Sequence, residues 1–219
     1  YRVKRGTLEV NYRSGDKILK TERVEDLKYG TTHTITKVDF EGYVPKVETK
    51  DVTISKPNEV VDFEYDRIKH TVTVVYKTDE GEVLDRVTKE VFYGEEFTPE
   101  QKNFEYVDYV SGADKQEIKS DKEITVTYKR QKAGLVNVVY KKGEEIVKTV
   151  TIPTTETGAG KPYKIDESKL DKRFEVAGRT FIVDKLVSGA LEGKTTAEGV
   201  EVVYSVKEET TKDVEVGED

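Results

Sequence analysis

The sequence predicts a mostly β protein (β with minor α) made of three tandem copies of one small module. Three observations predict it. The first is a repeated strand, Leu8-Glu9-Val10-Asn11-Tyr12, Val72-Thr73-Val74-Val75-Tyr76 and Val136-Asn137-Val138-Val139-Tyr140. Its tyrosines are spaced by 64 residues (76 − 12 and 140 − 76), and self-similarity at a fixed period marks an architectural unit. The second is its period of two, with apolar residues four and two positions before each tyrosine. That period turns one strand face to a core and the other to solvent. The third is a closing strand of the same pattern, carried by Val61, Phe63 and Tyr65, by Ile124, Val126 and Tyr128, and by Val200, Val202 and Tyr204.

The elements between these strands recur in one order. A turn follows the opening strand at Ser14-Gly15-Asp16, Asp79-Glu80-Gly81 and Lys142-Gly143-Glu144, where glycine supplies the positive φ of a tight hairpin. The returning strands run through Ile18–Val24, Val83–Val91 and Ile146–Ile152. A Gly-x-x-ring step comes next, as Gly30 to His33, Gly94 to Phe97 and Gly160 to Tyr163. A Phe-Glu pair follows at Phe40-Glu41, Phe104-Glu105 and Phe174-Glu175, and the last two copies share Val110-Ser111-Gly112 and Val187-Ser188-Gly189. Two short segments before the Phe-Glu pair read as helix starts, Thr98-Pro99-Glu100 and Asp166 to Leu170, each with a capping residue and an acidic first turn. Hairpin, short helix or loop, then returning strands is a β-grasp-like arrangement, and the three modules are expected to form an elongated row.

The expected boundaries are 1–67, 68–130 and 131–207, with an acidic tail over 208–219. The connections, Asp66 to Thr71 and Lys129 to Leu135, are short and polar rather than Gly/Ser tethers, which leaves little angular freedom. Copy three is the longest, and its surplus falls in Thr154–Gly160, around Arg173–Thr180 and in Gly189–Gly199. These Gly/Thr-rich stretches read as loops added to an unchanged frame.

Composition narrows the function. Charged residues make up 37% and apolar ones 35% of the 219 residues, so the cores must be thin and rely on aromatics and β-branched side chains. A disordered acidic chain would lack the 13 tyrosines and 7 phenylalanines present. With no cysteine, disulfides, thiolate metal sites and cysteine nucleophiles are excluded. There is no methionine either, position 1 included, which reads as a segment of a longer protein. The net charge of −7 has both signs interspersed, and basic runs such as Lys129-Arg130-Gln131-Lys132 are short. A phosphate-neutralising basic face is missing, so nucleic acid is not an expected partner.

No catalytic, metal or cofactor site is expected. The two histidines occupy different parts of the repeat: His33 stands where Phe97 and Tyr163 stand elsewhere and reads as a packing residue, and His70 falls in a connection and is expected to be exposed. Gly158-Ala159-Gly160-Lys161 lacks the spacing of a phosphate loop and the hydroxyl residue after the lysine. The four asparagines are not at equivalent positions, which argues against a shared Lys–Asn cross-link. Tyr12, Tyr76 and Tyr140 share a face with Leu and Val and belong to the core; Tyr43, Tyr106 and Tyr109 fall mid-module, are expected to be exposed, and are the candidate ligand contacts.

Phe40-Glu41-Gly42-Tyr43 and Val74-Val75-Tyr76-Lys77-Thr78-Asp79-Glu80-Gly81, with the Gly-x-x-ring step and the closing Val-x-Tyr strand, resemble mucin-binding-protein (MucBP-type) repeats. The likeness covers copies one and two and is looser in copy three; copy two departs from it in having Tyr106 where the Phe-x-Gly-Tyr element has glycine. The resemblance implies a non-enzymatic, extracellular adhesin segment of a Gram-positive surface protein, attached to the cell wall through its parent, with host mucin glycans or extracellular proteins as partners. A monomeric stalk with weak multivalent binding is the expected role, ahead of a pure spacer or a protein-binding module that uses sheet edges or the copy-three loops. It transfers no binding residue.

Overall fold

A computed structural model describes residues 1–210. Their regular structure is almost entirely β. In copy one the strands are β1 (Arg5–Ser14), β2 (Lys17–Lys28), β3 (Thr32–Thr36), β4 (Tyr43–Pro45), β5 (Thr49–Thr53) and β6 (Asn58–Arg67). Copy two contributes β7 (Lys69–Thr78), β8 (Val83–Phe92), β9 (Glu96–Phe97), β10 (Val107–Ser111), β11 (Gln116–Glu117) and β12 (Lys122–Arg130). Copy three contributes β13 (Val136–Lys142), β14 (Glu145–Ile152), β15 (Pro162–Lys164), β16 (Arg173–Val176), β17 (Arg179–Ser188), β18 (Glu192–Lys194) and β19 (Val200–Glu209).

The main sheets have one strand order. They run β2-β1-β6-β4, β8-β7-β12-β10 and β14-β13-β19-β17-β16. The opening and closing strands lie at the centre, where the first and third sheets pair them in parallel, Tyr12 beside Phe63 and Tyr140 beside Tyr204. A strand flanked on both sides is the one whose inward face is most completely covered, and the period-two residues are buried accordingly. Leu8, Val10, Val72, Val74, Val136 and Val138 are each at most 2% exposed. The hairpin glycines have the positive φ their turns need, 53° at Gly15, 89° at Gly81 and 59° at Gly143. The structure divides into two compact units, Tyr1–Tyr76 with Asp85–Glu100 and Gly112–Val126, and Lys77–Leu84 with Gln101–Ser111 and, of the described residues, 127–210.

The helix expectation does not hold. Thr98-Pro99-Glu100 is irregular, because Pro99 is buried and the Glu100 carbonyl accepts the Tyr76 hydroxyl at 2.7 Å. At Asp166 the cap forms, its side chain accepting the Ser168 N–H, yet only a 3₁₀ turn follows over Glu167–Lys169. So short a segment has too few hydrogen bonds to propagate. The closing tyrosine of each copy fastens this stretch instead: Tyr65 donates to Val38 O at 2.7 Å, Tyr128 to Lys102 O, and Tyr204 to Glu167 Oε1 at 3.0 Å.

Other expectations shift as well. The first connection shrinks to Ile68, since β6 reaches Arg67 and β7 begins at Lys69. His70 is therefore a strand residue with its side chain 17% exposed, not an exposed linker residue, and its Nδ1 lies 3.3 Å from Asp121 Oδ1. Glu208 and Glu209, expected to open the acidic tail, continue β19 and pair with Phe181 and Thr180; the tail from 211 lies outside the described residues. The surplus around Arg173–Thr180 is a hairpin that extends the third sheet by β16.

Candidate functional site

The three candidate tyrosines do not form a site together, and none is an open surface ring. Each is half-buried. Tyr43 begins β4 and packs on the first core, its hydroxyl accepting from Lys17 Nζ at 3.4 Å. Tyr109 lies edge-on to Tyr128, 5.9 Å between ring centroids. Tyr106 sits just before β10 with φ of 69°, a left-handed backbone that costs an L-residue about 1–2 kcal/mol. The expectation of exposure fails because β4 and β10 carry Tyr43 and Tyr109 onto neighbouring side chains, and the Tyr106 ring lies against Gly160.

The most specific constellation in each unit is instead a junction where one copy meets the next. In the first unit, Ile68 N–H donates to Gly42 O at 2.9 Å and Tyr93 N–H donates to Ile68 O at 2.8 Å. Arg67 Nε adds a bond to Tyr93 O at 2.7 Å. In the second unit, Gln131 N–H donates to Tyr106 O and Ala159 N–H to Gln131 O, both at 2.8 Å. Arg130 Nη1 donates to Ala159 O at 2.8 Å. Residue by residue this is one frame used twice: Arg67 and Arg130, Ile68 and Gln131, Gly42 and Tyr106, Tyr93 and Ala159.

The surroundings of the two frames differ. Around the first, the Tyr93 hydroxyl bonds to the Glu41 carboxylate; this bond first, and burial second, pushes its pKa up to about 12. Phe92 lies under two cations, Lys69 Nζ 5.3 Å and Arg67 Cζ 5.9 Å from its centroid. Around the second, the Arg130 side chain is only 9% exposed and pairs with Glu82, and its Nε is buried with no partner among the described residues. Ala133 N–H donates to Thr157 O and Gly134 N–H to Thr196 O, both at 2.8 Å. Lys132 also bridges to Gly158. Thr154–Gly160, read from sequence as an added loop, thus supplies four consecutive residues to a junction. The pairing of arginine with a downstream Gly-x-x-ring step could have been found in sequence, since Arg67 and Arg130 follow their closing tyrosines by two residues.

A separate cavity of about 640 Å³ opens in the third copy, lined among others by Tyr140, Glu167, Leu170, Ile182, Leu186 and Tyr204. Its phenol at Tyr204 is held near neutral form, burial first and the bond to Glu167 second pushing its pKa up to about 12. Among the described residues no group of three or more His, Asp or Glu side chains could hold a metal ion, and no helix is long and apolar enough to cross a membrane.

No family model matches the chain, and no curated protein matches it. Among solved structures it is similar to the Bacillus anthracis TIE protein, at 11% identity and a TM-score of 0.46 over 94% of this chain and 51% of that one. The chain spans about half the length of that structure.

Proposed function

We propose that this chain is a non-enzymatic repeat segment of a bacterial surface adhesin, a row of β-grasp-like modules that serves as a semi-rigid stalk. The observation that carries this reading is the hydrogen-bonded frame recurring at both junctions, Arg67–Ile68 and Arg130–Gln131. A flexible tether would leave those amides to water, whereas a frame of backbone bonds closed by an arginine resists bending. The resemblance of Phe40–Tyr43 and Val74–Gly81 to MucBP-type repeats supplies the surface context and the expected partners, mucin glycans or extracellular proteins. With both charges mixed and a net of −7, any contact with anionic mucin rests on local hydrogen bonds and stacking rather than on long-range attraction.

Nitrogen-15 relaxation on the full chain tests the stalk. Amides of β1 and β7 are expected to report one rotational correlation time, and separate times for the two strands would overturn it. Binding of the same chain to immobilised mucin and a glycan array then separates a binding stalk from a spacer. A second reading, specific recognition by copy three, is favoured by the 640 Å³ cavity. Loss of mucin or glycan binding in Leu186→Glu would support it, and unchanged binding would remove it.

A further inference from the structure

Each junction frame holds one aromatic ring against a glycine, and the two junctions supply that ring from opposite sides. At the first, Tyr93 of the incoming copy lies over Gly42 of the outgoing one; a Cβ at Gly42 would stand 2.0 Å from a carbon of that ring. At the second the order is reversed. Tyr106, in the position of Gly42, is the ring, and it lies over Gly160, where a Cβ would stand 2.5 Å from it. Tyr93's counterpart there is Ala159, fully buried and small. Both Gly42 and Tyr106 keep positive φ, 85° and 69°, so the backbone of the frame is held while the side chains are exchanged.

We infer that the pairs Gly42/Tyr93 and Tyr106/Ala159 are keys that decide which copy can dock on which: outgoing glycine takes incoming tyrosine, and outgoing tyrosine takes incoming alanine. A mismatch is penalised either way. Tyrosine against tyrosine puts two rings into the space of one, and glycine against alanine leaves a void, both costly in a packed contact. Tandem modules that share one architecture are prone to misassembly. Keys of opposite sense oppose such mispairing by exclusion as well as by fit. The inference goes beyond the stalk reading and stands without it, because it concerns only how neighbouring copies recognise one another.

The test is a double-mutant cycle in the full chain, read by hydrogen exchange at the amides of residues 68 and 93, with the amide of Val138 in the third sheet as a control for folding. Gly42→Tyr and Tyr93→Ala are each expected to speed exchange by about tenfold or more, and the double variant to fall about tenfold or more short of the product of the two singles. A double variant that exchanges as the product of the two singles overturns the key. If Gly42→Tyr does not fold, the reciprocal cycle decides by the same criterion. It uses Tyr106→Gly, which removes the backbone strain, with Ala159→Tyr, read at residues 131 and 159. Additive behaviour there overturns the inference, and mutual rescue sustains it. The result is independent of any mucin binding, so failure here and failure of the stalk reading are told apart.

Discussion

The junction around Ile68 and the one around Gln131 use the same three hydrogen bonds, but they enclose their arginines differently. Arg67 is 34% exposed in its side chain and stacks over Phe92, whereas Arg130 is 9% exposed, sits against Gly158 and pairs with Glu82. Two of the three bonds are backbone to backbone, so they survive almost any sequence, and the third asks only for an arginine; the enclosure is side chain, so it records what each pair of copies has settled on. A repeated architecture can thus keep its geometry while its contacts diverge.

The largest expected break in this comparison is Arg130→Ala. Losing a charge-assisted bond and a buried side chain that fills space over Gly158 should cost about 3 kcal/mol, against about 1 kcal/mol for Arg67→Ala. Urea denaturation of the two variants checks the ranking, and equal losses would mean that burial does not separate the junctions. Glycine substitutions sharpen the picture. Gly42→Ala should cost about 2–3 kcal/mol because its Cβ meets the Tyr93 ring in a left-handed backbone. Gly94→Ala, also at positive φ but with its nearest atoms 3.6 Å away, should cost only about 1 kcal/mol. Differential denaturation against the parent separates steric overlap from backbone strain.

A smaller effect is expected at Thr195, which is 1% exposed where the equivalent turns bury Ile54 and Ile118. Its hydroxyl lies 3.3 Å from both Gly158 O and Lys161 O. Thr195→Val should therefore cost about 1 kcal/mol, measurable as a lowered melting temperature. The smallest effect is electrostatic. Glu208 is lowered from 4.5 to about 2, by its bond to Arg179 first and its bond to Lys142 second. Because the folded value is the lower one, its contribution is present above the ordinary carboxylate range and is lost as pH falls from about 4 toward 2. In the first unit Asp121 is lowered too, by the Thr71 N–H first and then by His70, so its contribution has the same sign. Acid titration of stability in Glu208→Gln should show a shallower loss below pH 4 than the parent, and an unchanged slope would show that solvent screens the pair.

Much of the fold was legible because it rests on local pattern. The period-two strands, the tyrosine spacing and the hairpin glycines each follow from rules that act within a few residues, and those residues occupy the expected places in the sheets. The short helices were misread for the same reason. Caps at Thr98 and Asp166 are local signals: the stretch at Thr98 is tied instead by the long-range bond from Tyr76 to Glu100 O, and the cap at Asp166 forms but opens only a single 3₁₀ turn. Tyr43, Tyr106 and Tyr109 were misread as exposed because nothing nearby in sequence shows which ring will be covered by a residue of another strand.

Sequence alone therefore determined where the core strands and hairpin turns fall within each copy, and the repetition itself, since alternation and turn chemistry act over short distances. Tertiary structure decided what Tyr106 is for. In sequence it is a departure from a Phe-x-Gly-Tyr element, and Ala159 is a small residue in a glycine-rich loop. Only the fold brings 106 and 159 into one frame, 53 residues apart (159 − 106), as it brings 42 and 93 into the other. Packing is a property of pairs in space, and a ring gained on one side of a contact is read as compensation only when the side chain lost on the other is seen beside it.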